Sequence, residues 1–441
     1  MITIKKIGRF GYFTELIPSQ LEAALYNRLA YRKEGYQFMK NPAWSWVRFY
    51  KRKKRIFPWG LINKVKIILE DWQKQYSDEF KIVQDDGFLK FNDLKLSPKL
   101  RPYQVDSIIE LSLNHGGILA MPTGSGKTLT AIEFLKTVIF KKTLVVVHTR
   151  DLLQQWEEEL VDLNSDGSGK IVQVKTYQSL NSKKNKVDLK EYDVVIWDEC
   201  HHVSANVLFK LAIKCSNAVL VGLSATPYRA YKPETMKINA ALGEIVYSIS
   251  IRELIDQGYL CDAEVRVIKD IDYPHIEYWD EYPDVVQKCI VENQSRNDAI
   301  CSTALEESYN GTVLILVEKI EHGETLYKIL KEKEDKIIFV HGSSKEREQI
   351  FTDVKAGKYN IVIATKIYGE GVNITRLKTL ILAGGGKSSV AIIQKIGRLL
   401  RLFLGKDKAI IYDFADDVKY LKKHFQKRYD IYKETFEVNI I

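Results

Sequence analysis

MPTGSGKT, residues Met121–Thr128, follows the apolar run GGILA and opens TLTAIEFLKTVIF, a helical pattern. A buried strand, a tight glycine turn and a helix start in that order suit one ligand chemistry. Gly124 and Gly126 let backbone N–H groups wrap phosphate oxygens, and the helix N-terminus adds a favourable dipole. Lys127 then reaches the β- and γ-phosphates, and the Thr128 hydroxyl ligates magnesium. The turn residues Thr123, Gly124, Ser125 and Gly126, with Lys127 and Thr128, are the expected nucleotide contacts, so ATP and Mg2+ are the expected cofactors. Met121 stands where the general G-x-x-x-x-G-K-[ST] pattern has its first glycine.

Around this turn, short β-rich runs recur: TLVVVHT (143–149), DVVIWD (193–198) and AVLVGLSAT (218–226). A second series follows: TVLILVE (312–318), KIIFVHG (336–342), NIVIAT (360–365), TLILAG (379–384) and KAIIYDF (408–414). Strands alternating with helices predict parallel sheets covered on both faces. The predicted fold is therefore α/β, two tandem parallel-sheet domains over 96–262 and 263–441, with a seam near Gly258–Asp270 and a C-terminal helix. Residues 1–95 mix short strands (TIKKIG, FLKFNDL) with helical stretches (SQLEAALYNRLAYR, GLINKVKIILEDWQKQY) and predict a small α+β N-terminal domain. About 27 residues follow KAIIYDF, so no nuclease or large C-terminal module is expected.

Composition fits a globular protein, 45% hydrophobic and 28% charged. No apolar run is long enough to span a bilayer. MITIKKIGRFGYF lacks the apolar core of a signal peptide. The expected location is the cytoplasm, or the host cytoplasm for a phage-encoded protein, with no membrane partner. Cys200, Cys215, Cys261, Cys289 and Cys301 show no C-x-x-C spacing, so reduced thiols are expected. The net charge of +9 is unevenly placed: residues 1–100 hold 20 Lys and Arg against 10 Asp and Glu, and the remainder 46 against 47. Such asymmetry predicts a polyanion-facing segment on a neutral body.

In VVIWDECHH a buried strand delivers Asp198 and Glu199 to its C-terminal tip. Asp198 is expected to hold magnesium, directly or through water. Glu199 is expected to orient and deprotonate the attacking water. His201 and His202 raise a zinc alternative, but adjacent histidines point apart and no third ligand accompanies them. QKIGRLLR places Arg398 and Arg401 three residues apart, on one face of a helix. Paired guanidiniums suit the spread charge of a phosphoryl transition state.

Taken in order, these segments resemble the superfamily 2 helicases and translocases across roughly residues 98–415. LRPYQVDSI matches the glutamine-bearing segment, with Gln104 at the adenine-reading position. MPTGSGKT resembles motif I, VVVHTRDLLQQW motif Ia, KTYQSL motif Ib, DECH motif II and LSATPYR motif III. TVLILVEKIEHGETL, IVIATKIYGEGVN and QKIGRLLR are similar to motifs IV, V and VI. LRPYQ, DECH, INAALGEIVYSISIRELIDQGYL and IGRLLR look like the branch that holds XPB, type I restriction translocases and UvsW-type branch-migration helicases. Its layout is most similar to the UvsW type, and the R-E-D tripeptide of XPB-like proteins is missing.

The resemblance implies two RecA-like domains with a nucleotide cleft between them. It assigns catalysis to Lys127, Asp198, Glu199, Arg398 and Arg401, and further nucleotide contacts to Gly371 and Asn373. His201, Ser224, Thr226 and Gln394 would couple the nucleotide to motion. Thr149, Arg150, Thr176, Gln178, Thr365 and Lys366 would touch nucleic acid. In WSWVRFYKRKKRIFPWG (Trp44–Gly60), Lys51, Arg52, Lys53, Lys54 and Arg55 sit within an aromatic frame. Basic side chains neutralise phosphates and exposed rings stack on bases; the interleaved aromatics argue against a nuclear-localisation signal. The expectation is a monomeric ATP-dependent DNA helicase acting on forked and junction DNA. An RNA helicase and an ATP-gated nucleic-acid clamp are the alternatives.

Overall fold

The computed structural model describes residues 1–33, 36–39, 41–83, 90–91, 96–165, 170–182, 187–201, 206–226, 232–342, 344, 347–365, 377–386, 396–397, 399–402, 406 and 408–441. The chain forms two compact units. The first comprises Met1–Met121 and Gly126–Ile249, the second Pro122–Ser125 and Ser250–Ile441.

The first unit is built on a six-stranded parallel sheet. Its spatial order is Ile171–Thr176, Lys142–Val147, Val194–Asp198, Val219–Ser224, Gly117–Ala120 and Ile245–Ser248. Val219–Ser224 is buried at every position, as a strand with both faces covered must be. All strands run the same way, so Met121, His148, Tyr177, Glu199 and Ala225 follow their strands at one edge. In open α/β sheets that carboxyl edge is where ligands bind.

The second unit holds a seven-stranded parallel sheet in the order Ile337–Val340, Ile361–Ala364, Thr312–Leu316, Leu377–Leu382, Lys408–Phe414, Asp262–Ile268 and Glu437–Ile440. Two buried arginines hold the turn after Leu377–Leu382. Arg296 Nη1 donates to the Ala383 carbonyl at 2.7 Å and its Nε to Asp416 Oδ1 at 3.0 Å. Arg428 pairs in bidentate fashion with Asp413 at 2.7 and 2.9 Å and donates to the Gly386 carbonyl at 3.0 Å.

Residues 1–83 form the α+β part of the first unit. The strands Ile56–Pro58, Phe10–Phe13, Ile2–Ile7 and Phe80–Val83 make one mixed sheet, antiparallel except for its last pair. Helices Ser19–Arg28 and Ile62–Tyr76 cover it with Leu21, Leu25, Val65, Ile68 and Leu69.

Three segments depart from the sequence expectation. The helix expected across SQLEAALYNRLAYR stops at Arg28, and Ala30–Arg32 pairs antiparallel with Trp46–Arg48. Pairing that buries Tyr31 in the core overrides local helix propensity. The helix across TLTAIEFLKTVIF ends at Thr137, where the β-branched pair Val138–Ile139 joins Lys90–Phe91. After the expected C-terminal helix, Leu421–Thr435, the short polar segment Glu437–Ile440 adds a strand beside Asp262–Ile268. Among the described residues no helix is long and apolar enough to cross a membrane.

The N-terminal part is packed onto the helix Lys232–Leu242. Arg9 Nη2 donates to the Ala241 carbonyl at 2.5 Å, Asn63 Nδ2 donates to Glu244 Oε2 at 2.9 Å, and Phe49 meets Phe209 edge-on at 5.9 Å. Gly60 is the closest approach: a Cβ there would stand 1.9 Å from the Asn239 carbonyl oxygen and 2.9 Å from the Gly243 nitrogen. Both obstacles are backbone, so neither can rotate away. Gly60→Ala is therefore expected to destabilise the first unit by about 1–3 kcal/mol or more, as overpacking does. Urea unfolding checks it; a midpoint equal to wild type would show that the junction yields.

Candidate active site

The turn after Gly117–Ala120 is closed by its own side chains. Ser125 Oγ donates to the Pro122 carbonyl at 2.7 Å, and Thr130 Oγ1 to the Gly126 carbonyl at 3.1 Å. Gly124 (φ +90°) and Gly126 (φ +81°) adopt the left-handed conformation that glycine takes without strain. A Cβ on Gly126 would also stand 2.5 Å from Gln104 Nε2. Gln104 is buried, and its Oε1 accepts from the Arg101 backbone N–H at 2.9 Å. The glutamine and the turn are thus in contact. Lys127 Nζ is held at 3.1 Å on the Met121 carbonyl, at the mouth of the same turn.

Asp198 and Glu199 stand at the tip of Val194–Asp198, which Val219–Ser224 separates from Gly117–Ala120. Asp198 Oδ1 accepts from the Glu199 N–H at 3.0 Å, and its Oδ2 from Trp156 Nε1 at 3.0 Å. Burial, then the neighbouring Glu199 charge, push the Asp198 carboxyl above the usual range; the Trp156 hydrogen bond and Lys127 act the other way. Two close, partly buried carboxylates favour a nearby cation. Glu199 has φ +48°, a left-handed conformation that costs a non-glycine residue on the order of 1 kcal/mol and gathers at functional sites.

From Glu199 a polar chain runs sideways. His201 Nδ1 lies 3.4 Å from Glu199 Oε2 and 3.2 Å from Ser224 Oγ, which accepts from the Thr226 N–H at 3.0 Å. The Thr226 hydroxyl is buried with no hydrogen-bond partner among the described residues. Gln104, Gly126, Lys127, Asp198, Glu199, His201, Ser224 and Thr226 all belong to the first unit; of these, Asp198, Glu199, His201, Ser224 and Thr226 are linked at the carboxyl ends of Val194–Asp198 and Val219–Ser224.

The next two strands end in helix caps. Thr149 Oγ1 accepts from Leu152 N at 3.3 Å and starts the helix Arg150–Glu159; Thr176 Oγ1 accepts from Ser179 N at 3.3 Å. Gln178 Nε2 donates to the His148 carbonyl at 3.1 Å and ties the two segments together. In the second unit Thr365 is buried at the end of Ile361–Ala364. Within that unit a Cβ on Gly397 would meet the Thr123 Cβ at 3.0 Å, and one on Gly124 would lie 3.6 Å from Arg401 Cγ. Arg401 follows the last described helical residues of this segment. His202, Lys366, Gly371, Asn373, Gln394 and Arg398 lie outside the described residues.

The segment Trp44–Gly60 divides between core and surface. Phe49, Tyr50, Phe57 and Trp59 are buried, whereas Lys51–Lys54 are exposed on a tight turn and Arg55 is half-buried at φ +52°. The sequence did not reveal a stack beside that turn. Arg52 lies 4.0 Å from the Tyr26 ring, Arg48 4.6 Å from Tyr26 and 5.1 Å from Trp46, and Arg32 5.0 Å from Trp46. Rings and guanidiniums alternate across four separate elements, a placement no linear pattern encodes. Trp156, too, went unnoticed. Its signal was available, as the one aromatic residue in the largely polar helix RDLLQQWEEE.

Residues 97–229 match the family model described as "Type III restriction enzyme, res subunit", and residues 295–403 the "Helicase conserved C-terminal domain". The ATP-dependent DNA helicase uvsW of Enterobacteria phage T4 is 23% identical, covering 91% of this chain and 88% of that protein. The DNA 3'-5' translocase XPB2 of Sulfurisphaera tokodaii is 27% identical, covering 71% and 81%. A solved structure of Dbp5 from S. cerevisiae bound to RNA and ADP BeF3 shares the fold, with a TM-score of 0.56 at 16% identity, covering 79% of this chain and 94% of that one. The chain belongs to the superfamily 2 helicases, in the branch of the UvsW-like and XPB-like proteins. It is an ATP-dependent helicase by family.

Proposed function

We propose that this superfamily 2 protein is an ATP-driven DNA helicase or translocase that remodels forked and junction DNA. One observation carries the reading: a single sheet edge presents the phosphate turn, the Asp198–Glu199 pair and two capped segments suited to nucleic acid. ATP would lie on the turn 123–128 with its adenine against Gln104. Lys127, now on the Met121 carbonyl, would exchange that acceptor for phosphate oxygens. Magnesium fits the Thr128 hydroxyl and the Asp198 carboxylate, whose raised proton affinity marks a position that gains from a cation. There the metal would neutralise phosphate charge. Glu199 would orient the attacking water and take its proton. Arg401, beside Gly124, would face charge that develops on the transferring phosphoryl group.

His201, Ser224 and Thr226 would report the state of the phosphates, since their hydrogen bonds run from Glu199 to the end of Val219–Ser224. Thr149, Arg150, Thr176, Gln178 and Thr365 would follow the DNA backbone. The N-terminal part would grip the branch with Lys51–Lys54 and the stacked Arg32, Arg48 and Arg52. The names of the relatives from phage T4 and Sulfurisphaera tokodaii support DNA as the polymer.

Lys127→Ala is expected to lower ATP turnover by at least about a hundredfold, and Glu199→Gln to block turnover while ATP stays bound. Nucleotide binding and steady-state hydrolysis, measured together, check both. Near wild-type hydrolysis in either variant overturns the site.

Arg401→Ala should retain ATP binding and slow hydrolysis, because a guanidinium aimed at transition-state charge adds little to ground-state affinity. Weakened binding with unchanged turnover at saturation would move Arg401 to a ground-state role.

Replacing Lys51, Lys53 and Lys54 by glutamate should weaken junction binding and reduce the slope of log affinity against log salt, by about one per lost phosphate contact. Strand displacement on forks, four-way junctions and RNA duplexes is the companion assay. Unwinding confined to RNA makes the protein an RNA helicase, and nucleotide-dependent binding without unwinding makes it a clamp.

A further inference from the structure

The hydrogen bond between Trp156 and Asp198 has no place in phosphate chemistry itself. Trp156 is only 1% exposed, and its indole N–H donates to Asp198 Oδ2 at 3.0 Å. The other carboxylate oxygen is taken by the backbone of Glu199. Asp198 therefore has one fixed restraint from its own strand and one that arrives from the helix Arg150–Glu159. That helix begins at Thr149, whose hydroxyl caps it, and the preceding His148 carbonyl receives Gln178 from the neighbouring segment. From Thr149 to Trp156 the helix is a strut of about 10 Å.

We propose that Trp156 is a positioning residue that transmits nucleic-acid occupancy at the Thr149–Gln178 end of this helix to the carboxylate of Asp198. The proposal rests on the nucleotide and DNA reading given above. The mechanism is mechanical. A backbone phosphate drawn to Thr149, Arg150 and Gln178 changes the lean of a rigid helix. The indole at its far end is hydrogen-bonded to the carboxylate, so it moves Oδ2 relative to the phosphate turn. Packing alone explains burial of the ring but not the use of its one polar atom on Asp198. A buried indole N–H needs some acceptor; here the acceptor is the carboxylate expected to hold magnesium.

Trp156→Phe keeps most of the ring and removes the donor. With saturating oligo(dT), its DNA-stimulated kcat is expected to fall about tenfold, while KM for ATP and Kd for DNA stay within about twofold. A simple packing defect would instead lower the melting temperature and leave the stimulation ratio alone. A second readout needs no ATP and no metal. In wild-type protein labelled with 15N-tryptophan, the indole resonance absent from Trp156→Phe should shift when oligo(dT) is added. Should that variant fail to fold, amide hydrogen exchange on the wild type replaces it: DNA alone should change exchange in the segment 194–201. The proposal is overturned by wild-type stimulation in Trp156→Phe, or by an indole resonance or exchange rate indifferent to saturating DNA. Wild-type ATPase that DNA does not stimulate would remove the motor reading and this coupling together; stimulation that survives in Trp156→Phe removes the coupling alone.

Discussion

A parallel sheet buried on both faces constrains everything else in the first unit. Its four central strands carry no charge between their ends, so the charged residues they deliver emerge at an end; the edge strand Ile171–Thr176, which is less buried, carries Gln173 and Lys175 along its length. Because the strands are parallel, the ends that matter lie along one edge. Val194–Asp198 shows the rule: four buried apolar residues and then a carboxylate. The phosphate turn, the acid pair, the serine of motif III and the two threonine caps are separated by long stretches of chain, yet each lies at the carboxyl end of a strand of this sheet. Strand register fixes their spacing, as in the pairing of Asp198 with Leu223, one residue before Ser224.

That edge concentrates groups which are individually unfavourable. Asp198 and Glu199 are adjacent carboxylates in a partly buried setting, Glu199 has a left-handed backbone, and the Thr226 hydroxyl is buried without a hydrogen-bond partner among the described residues. The surrounding sheet, buried almost without interruption, supplies the stability that holds them there. Each of these groups would gain when a nucleotide and a divalent cation arrive: the carboxylates through neutralisation and the hydroxyl through a new partner. Strain and unmet hydrogen-bonding capacity at the edge thus favour the loaded state over the empty one. The second unit uses the opposite device. Arg296 and Arg428 are buried, but both are paired with aspartates and bonded to the Ala383 and Gly386 carbonyls. Buried ion pairs add little net stability, whereas removing one partner is severe. Their effect is to hold one backbone path at the carboxyl edge of that sheet.

The sheets and the phosphate turn were legible in the sequence because continuous apolar runs and a glycine–lysine turn are local signals. GGILAMPTGSGKT and VVIWDECHH each hold a strand and the polar residues that follow it in one short stretch. What could not be read depends on contacts between distant segments. Ala30–Arg32 reads as helix until Trp46–Arg48 is available to pair with it. The stack of Arg32, Trp46, Arg48, Tyr26 and Arg52 draws on residues from a helix, two strands and a turn. Trp44–Gly60 contains both buried aromatics, Phe49, Tyr50, Phe57 and Trp59, and an exposed basic turn, Lys51–Lys54, a division that no linear pattern marks.

The N-terminal part is not a separate bead. Its core extends to Ala240, its Arg9 side chain bonds to the Ala241 carbonyl, and Gly60 approaches the backbone at Asn239 and Gly243 too closely for a Cβ. The helix Lys232–Leu242 on which it rests leads into Ile245–Ser248, the strand beside Gly117–Ala120. The phosphate turn leaves that same Gly117–Ala120 strand. A basic surface carried on a flexible tether would raise only the local concentration of DNA. Seated through backbone contacts, it shares the frame of the sheet, so a polyanion held by the exposed lysines would load the element flanking the phosphate turn. Net positive charge is concentrated in the one segment outside the two parallel sheets. On the proposed reading, an attraction for polyanion placed there would stay off the two parallel-sheet bodies, where it would oppose the repeated release that stepping along a strand would require.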